Sequence, residues 1–249
     1  MSKVLWKGKD VLRIVKGHGP SDWNAYGISI DTRTLRKGDI FFALAGPNYD
    51  GHQFINEAIK KGACVVVSNA PVLNHEKKVI VVNDVFKALI ALGKFSRNRN
   101  KGKIIAVTGS SGKTTVKEML ALSLSDSGKI HYSQSSYNNK IGVSLSLARM
   151  PSDTDFSIFE VGMNNYGEIS YLSKMIKPDI GLINNAGSAH IKYFKSKKEI
   201  EKEKLELIHG LNSGGSLVLN EDISINKSIK NFSKKNNIEL IKFGQKDKS

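Results

Sequence analysis

The stretch that most constrains this chain is Ile104-Ile105-Ala106-Val107-Thr108, running straight into Gly109-Ser110-Ser111-Gly112-Lys113-Thr114-Thr115. An apolar strand, a glycine turn and an amphipathic helix in that order converge backbone N–H groups on the positive end of a helix dipole. That is what holding a triphosphate requires. Lys113 is placed to neutralise the outer phosphates and the Thr114 hydroxyl to ligate Mg²⁺. The full phosphate-loop pattern asks for glycine at position 107, where Val107 stands. The strand-turn-helix context therefore carries the assignment. A strand that feeds a helix in this way belongs to a wound, mainly parallel sheet, so the fold class is α/β.

The rest of the chain agrees with that class. From Lys103 onward the strands KIIAVT, FSIFEV, DIGLIN and SLVLN alternate with helical segments from Thr114 to Ser127, Gly167 to Ile176 and Lys197 to Leu211. A lysine-rich helix over about Ile225 to Lys235 and a short strand, IELIKF, come last. Upstream, YGISID, DIFFAL, ACVVVS and VIVVND read as strands. The segment HQFINEAIKKG reads as a helix with Phe54, Ile55, Ala58 and Ile59 at helical spacing and Gly62 as its C-cap. A further helix starts near Asp84, with Val85, Ala88, Leu89 and Leu92 on one face, and ends in the polar run from Arg97 to Gly102. Two domains are expected: a small N-terminal α/β domain over residues 1–83, and a P-loop-type central domain over 84–249 with a mainly parallel sheet flanked by helices.

Composition narrows the function classes. The 38 basic residues outnumber the 23 acidic ones for a net charge of +15, yet only six of them are arginine. Dedicated phosphate and base readers favour the arginine fork, so a specific nucleic-acid partner is not expected. No apolar run approaches the roughly 20 residues of a membrane helix, and the N-terminus has no signal-peptide h-region. A cytoplasmic protein, acting as a monomer, is expected. The single cysteine, Cys64, allows no intrachain disulfide and reads as a small buried hydrophobe in GACVVV.

Three further residues are candidates for chemistry. Glu160 ends the strand FSIFEV, and ligands of a parallel sheet gather beyond the carboxyl ends of its strands. A carboxylate there completes a Mg²⁺ shell. His190 follows DIGLIN at the same edge. Lys204 lies in KEIEKEKLELI, where Ile200, Leu205 and Ile208 make the buried face and Glu199, Lys202, Glu203 and Glu206 read as a solvated surface. By pattern alone Lys204 has no distinction.

Taken together, these motifs resemble the Mur ligases, the ATP-dependent amide-forming enzymes of peptidoglycan assembly, and most closely their MurF branch. The resemblance rests first on Ser29-Ile30-Asp31-Thr32-Arg33, on Lys37 to Leu44, and on Asp50-Gly51-His52-Gln53-Phe54. It continues through TGSSGKTT, Tyr137-Asn138-Asn139-Lys140-Ile141-Gly142-Val143, Phe159 to Asn164 with Gly167-Glu168-Ile169, and Asn184-Asn185-Ala186 through His190 and Phe194. It implies a UDP-sugar-binding N-terminal domain and an ATP-binding central domain. It implies ATP and Mg²⁺ as cofactors, with UDP-N-acetylmuramoyl-tripeptide and D-alanyl-D-alanine as substrates. ATP would lie on Gly109, Ser110, Ser111, Gly112, Lys113, Thr114 and Thr115. Ser29, Asp31, Thr32, Arg33, Asn138 and Asn139 would bind the UDP-muramoyl substrate. Thr114, Glu160 and His190 would serve the metal, and Lys113, His190 and Lys204 catalysis. Lys204 falls where several members carry a carbamylated lysine. A third, C-terminal domain found in the family has no counterpart here, so a truncated chain with impaired turnover is expected. The alternatives are a sibling amide ligase, a non-catalytic nucleotide-binding module, and a basic NTPase acting on nucleic acid.

Overall fold

The computed structural model describes residues 3–46, 49–187, 194 and 196–244. The chain divides into two compact units, one of residues 1–98 with Leu147–Pro151, the other of residues 99–146 and 152–249.

In the first unit β1 (Trp6–Lys7) leads into helix α1 (Gly8–Val15) and pairs antiparallel with β2 (Asn24–Ala25). Next come β3 (Gly27–Ser29), β4 (Asp39–Phe42), the short antiparallel pair β5 (Ala45–Gly46) and β6 (Tyr49–Asp50), helix α2 (Ile55–Lys60), β7 (Val65–Ser68), β8 (Val79–Val81) and helix α3 (Val85–Arg99). Strands β3, β4, β7 and β8 form a parallel sheet in that order. Every residue of β4 and β7 is buried, as expected of parallel strands covered on both faces. Helix α2 lays Ile55 and Ala58 against Phe41, Ala43, Val66 and Val79. It closes in a Schellman motif: the Gly62 N–H donates to the Ile59 carbonyl and the Ala63 N–H to that of Ala58. Gly62 takes φ +93°, the conformation in which a Cβ is costly. Phe54, expected on the buried face, instead ends a 3₁₀ turn ahead of α2 and is exposed.

The expected boundary before Asp84 moves to the far side of α3. That helix stays with the first unit because its apolar face is sealed there, with the Phe95 ring 6.0 Å from that of Trp6. The later segment Leu147–Pro151 also belongs to this unit. The Trp6 indole donates to the Ala148 carbonyl, and Arg149 Nε to that of Ile28 at 2.7 Å.

The second unit contains β9 (Lys103–Thr108), α4 (Lys113–Leu124), β10 (Ile130–Tyr132), α5 (Lys140–Ala148, whose last two residues belong to the first unit), β11 (Phe156–Glu160) and α6 (Glu168–Ile176). It continues with β12 (Ile180–Ile183), α7 (Lys197–Leu205), β13 (Ser216–Asn220), α8 (Lys227–Lys235) and β14 (Glu239–Phe243). The six strands are all parallel, in the order β10-β11-β9-β12-β13-β14. Ile105, Val107 and Ile158 pack with Ala121 of α4 on one face. From β9 the chain goes to one side for β10 and β11, then crosses to the other for β12. The order therefore reverses around β9, and a crevice opens at the carboxyl ends of β11, β9 and β12. Glu160, the glycine turn and Asn184-Asn185 all fall there.

Candidate nucleotide site

Val107 is fully buried within β9, paired with Glu160 of β11 on one side and Leu182 of β12 on the other. The strand keeps its ladder through Thr108, so the turn opens two residues later than the full pattern anticipates, and a core side chain fills position 107. The Thr108 hydroxyl donates to the Val161 carbonyl at 2.8 Å. At the end of the turn Gly112 takes φ +73°, and a Cβ on it would lie 2.8 Å from Asn184 Nδ2. Both conformation and space demand glycine there.

The asparagines after β12 hold this turn. Asn185 Oδ1 accepts from the N–H groups of Ser110 (2.9 Å) and Ser111 (3.1 Å), and the Asn184 and Asn185 amides donate to the Ser111 carbonyl, each at 3.1 Å. An amide oxygen thus sits on main-chain donors suited to an anion. Lys113 donates to the Gly109 carbonyl at 2.9 Å. Burial lowers the pKa of its ammonium, with nearby Glu160 pulling the other way. Thr115, in the first turn of α4, is exposed.

Glu160 is buried, with 1% of its surface exposed. Its Oε2 accepts the Thr114 hydroxyl at 2.8 Å and its Oε1 accepts Asn138 Nδ2 at 2.7 Å. The glycine after it explains the close fit: a Cβ at Gly162 would lie 2.8 Å from the Asn138 side chain, and the Gly162 N–H donates to the Asn138 carbonyl. Among the described residues no three His, Cys, Asp or Glu side chains converge on one point. What they offer is a hydroxyl and a carboxylate oxygen beside the anion-binding turn. That donor set fits Mg²⁺, a hard cation that keeps waters and phosphate oxygens in its shell, rather than Zn²⁺ with its nitrogen and sulfur ligands.

Lys204, undistinguished in the sequence, is 1% exposed. Among the described residues nothing accepts a hydrogen bond from its ammonium. Burial, with the Lys113 charge adding to it, pushes its pKa down to about 8. Its neighbour Glu203 is buried too, contrary to the solvated surface expected of it. Burial raises the Glu203 pKa, although the carboxylate accepts the Gly167 N–H at 2.8 Å. Two adjacent charged residues of this nine-residue helix are thus almost fully buried. His190 lies outside the described residues. Phe194 is buried, edge-on to Tyr166 with ring centroids 4.8 Å apart.

Asn139 serves the backbone: its Oδ1 accepts the Gly142 N–H at the start of α5. Asn138, expected with the muramoyl substrate, has its amide on Glu160 Oε1. Asn184 and Asn185, quoted in the sequence only as part of a motif, and Lys117 were given no role there. A pair of asparagines directly after the strand beside a glycine turn was the available signal for the first two.

Within the first unit, Ser29, Asp31, Thr32 and Arg33 form a cluster of their own. Ser29 is buried and its hydroxyl donates to the Asp31 carbonyl at 2.8 Å. Arg33 grips the Asp31 carboxylate through Nε (3.0 Å) and Nη2 (2.6 Å), which holds that carboxyl below its ordinary range against a smaller effect of burial. Thr32 is buried, and its carbonyl accepts from Lys61 at 3.0 Å. Cys64 is half-buried rather than fully buried, and burial pushes its thiol up to about 11.

Residues 24–101 match the family model for the Mur ligase catalytic domain, and residues 107–249 match that for the Mur ligase middle domain. The chain belongs to the Mur ligase family. The chain is 37% identical over 218 residues to a UDP-N-acetylmuramoyl-tripeptide–D-alanyl-D-alanine ligase of Rickettsia prowazekii, covering 87% of this chain and 48% of the relative. A ligase of the same name from Synechocystis is 41% identical over 197 residues, covering 78% and 43%. Among solved structures, MurF from Acinetobacter baumannii superposes with a TM-score of 0.83 at 30% identity, covering 96% of this chain and 53% of that one. MurF from Thermotoga maritima in complex with ADP does so with 0.72 at 27%, covering 88% and 50%. The chain thus spans about half the length of the curated relatives it matches.

Proposed function

We propose that this Mur ligase is of the MurF type and handles the nucleotide and the UDP-muramoyl substrate in an ATP-dependent ligation. In that reaction a UDP-N-acetylmuramoyl-tripeptide carboxylate attacks the γ-phosphorus of ATP, giving an acyl phosphate and ADP. The amine of D-alanyl-D-alanine then attacks the acyl carbon and phosphate leaves. Phosphoryl transfer needs positioning and charge neutralisation more than covalent help from the protein. The glycine turn would supply N–H donors to the phosphates once Asn185 Oδ1 gives them up, and Lys113 would swing from the Gly109 carbonyl to the γ-phosphate. Thr114 and Glu160 would hold Mg²⁺, whose charge reduces repulsion between the two reacting anions. His190 is assigned to the same metal-bearing edge, and Ser29 to Arg33 to the UDP-sugar.

Lys204 completes the set. Its pKa, lowered to about 8, leaves about a tenth of it as neutral amine at pH 7, the form that adds to CO₂. The ammonium first sheds one proton; the neutral amine then forms the N–C bond to CO₂ and sheds a second, so a buried cation becomes a carbamate anion. That change replaces repulsion toward Lys113 with attraction, so the pocket favours the modification.

The observation that carries the proposal is the 2.8 Å bond between Thr114 and Glu160, which places a helix-start hydroxyl and a buried carboxylate together beside the glycine turn. Calorimetry tests it. Mg-ATP and UDP-N-acetylmuramoyl-tripeptide should each give binding heat separately, and K113A should remove only the first. Absence of heat from the UDP ligand would refute the muramoyl assignment.

A further inference from the structure

Helix α4 carries a second lysine one turn after Lys113. Lys117 has no exposed surface, and it is among the largest fully buried side chains of the chain. Its ammonium donates to the carbonyls of Ser133 (2.7 Å) and Ser135 (3.1 Å) and lies 3.1 Å from Glu118 Oε1. Two of its three donors are thus taken by main-chain carbonyls, and its charge is paired with Glu118. The Tyr132 ring centroid is 5.7 Å away. Burying a cation costs far more than burying a methionine of the same length. A stability role alone gives no reason to keep it.

The contacts point to another role. Ser135 is held at φ +49°, a left-handed conformation that a serine adopts only when its surroundings impose it. Lys117 grips the carbonyl on that residue and the one two before it. Three residues on, Asn138 bonds Glu160 Oε1, while Thr114, on the same helix as Lys117, bonds Oε2. The connections close a ring: α4 through Lys117 to the turn, through Asn138 to Glu160, and through Thr114 back to α4.

We infer that Lys117 is a positioning residue for the divalent cation. By fixing the turn 133–138 it presses the Asn138 amide onto one carboxylate oxygen of Glu160 and leaves the other aimed at Thr114. The inference rests on the reading of Thr114 and Glu160 as the metal-nucleotide site. A group one step removed from a metal ligand typically changes metal affinity by about 10–100-fold when it is lost.

The experiment measures the Mg²⁺ concentration at half-saturation of ATP binding to the full chain, using a fluorescent ATP analogue. A parallel titration in EDTA reads metal-free nucleotide binding. K117M should raise the Mg²⁺ midpoint about tenfold, with EDTA binding unchanged. N138A should do the same, and the double variant should be no worse than either single one, since both cut one link. K117R, which keeps a cation and its donors, should recover part of the loss. Each variant is melted first; if K117M does not fold, N138A and K117R carry the test. An unchanged midpoint in K117M, or in N138A and K117R where K117M is lost, or additive effects of K117M and N138A, would overturn the positioning role alone. Mg²⁺-independent binding in the unmutated chain would overturn the metal-site reading and this role with it.

Discussion

Replacing Lys204 by methionine removes a buried cation while keeping most of its volume, and the structure sets the size of the effect. The ammonium's pKa falls from an ordinary 10.5 to about 8. At 1.36 kcal/mol for each tenfold change in proton affinity, that fall means the charged form weakens the fold by about 3 kcal/mol. The sign follows from proton counting. Between about pH 8 and 10.5 the unfolded chain holds a proton on Lys204 that the folded chain has shed, so stability rises with pH across that window. Below pH 8 both states are protonated and the full penalty applies. K204M should therefore be more stable than the unmutated chain by about 3 kcal/mol at pH 7, and the gap should close as pH approaches 10.5. For a unit of this size that is a rise in Tm of roughly 6–12 °C. The assay is calorimetric or circular-dichroism melting in CO₂-free buffer. Tryptophan fluorescence is unsuitable, because Trp6 and Trp23 both lie in the first unit. Added bicarbonate should stabilise the unmutated chain and leave K204M unmoved, since only the former can form a carbamate. Equal or lower stability of K204M at pH 7, or a gap that ignores pH, would refute the picture of a buried ammonium destabilised by desolvation.

Glu160→Gln, which keeps the shape and discards the charge, should fold and lose Mg²⁺-dependent ATP binding by at least tenfold in a fluorescence titration. Gly112→Ala should lower stability by about 1–2 kcal/mol through its φ of +73°. It should also weaken ATP binding, because the turn cannot keep its shape; melting and calorimetry read the two effects. Cys64, with its thiol pushed up to about 11, should react with iodoacetamide at pH 7.5 far more slowly than a free thiol, in an alkylation followed by mass.

What the linear chain determined is local. Strands such as KIIAVT and FSIFEV announce themselves because a parallel strand covered on both faces is a continuous apolar run. The glycine turn is legible because φ > 0 and close backbone approach leave few residue choices. The strand β10 and the helix α5 escaped notice, the first for having one aliphatic residue, the second for its glycine and serines. The boundary between units was misplaced because a helix's apolar stripe says that it is buried, not against what. Glu160 could be placed beside the turn because strand ends share an edge. That Asn138 would hold its other oxygen, and Asn185 the loop's N–H groups, depended on strand order, which periodicity does not encode. Lys117 and Lys204 mark the limit most clearly. In sequence each is one lysine among many, and a lysine's ordinary place is in water. Only packing from several elements at once could strip that water away, leaving one ammonium bound to two main-chain carbonyls and lowering the pKa of the other.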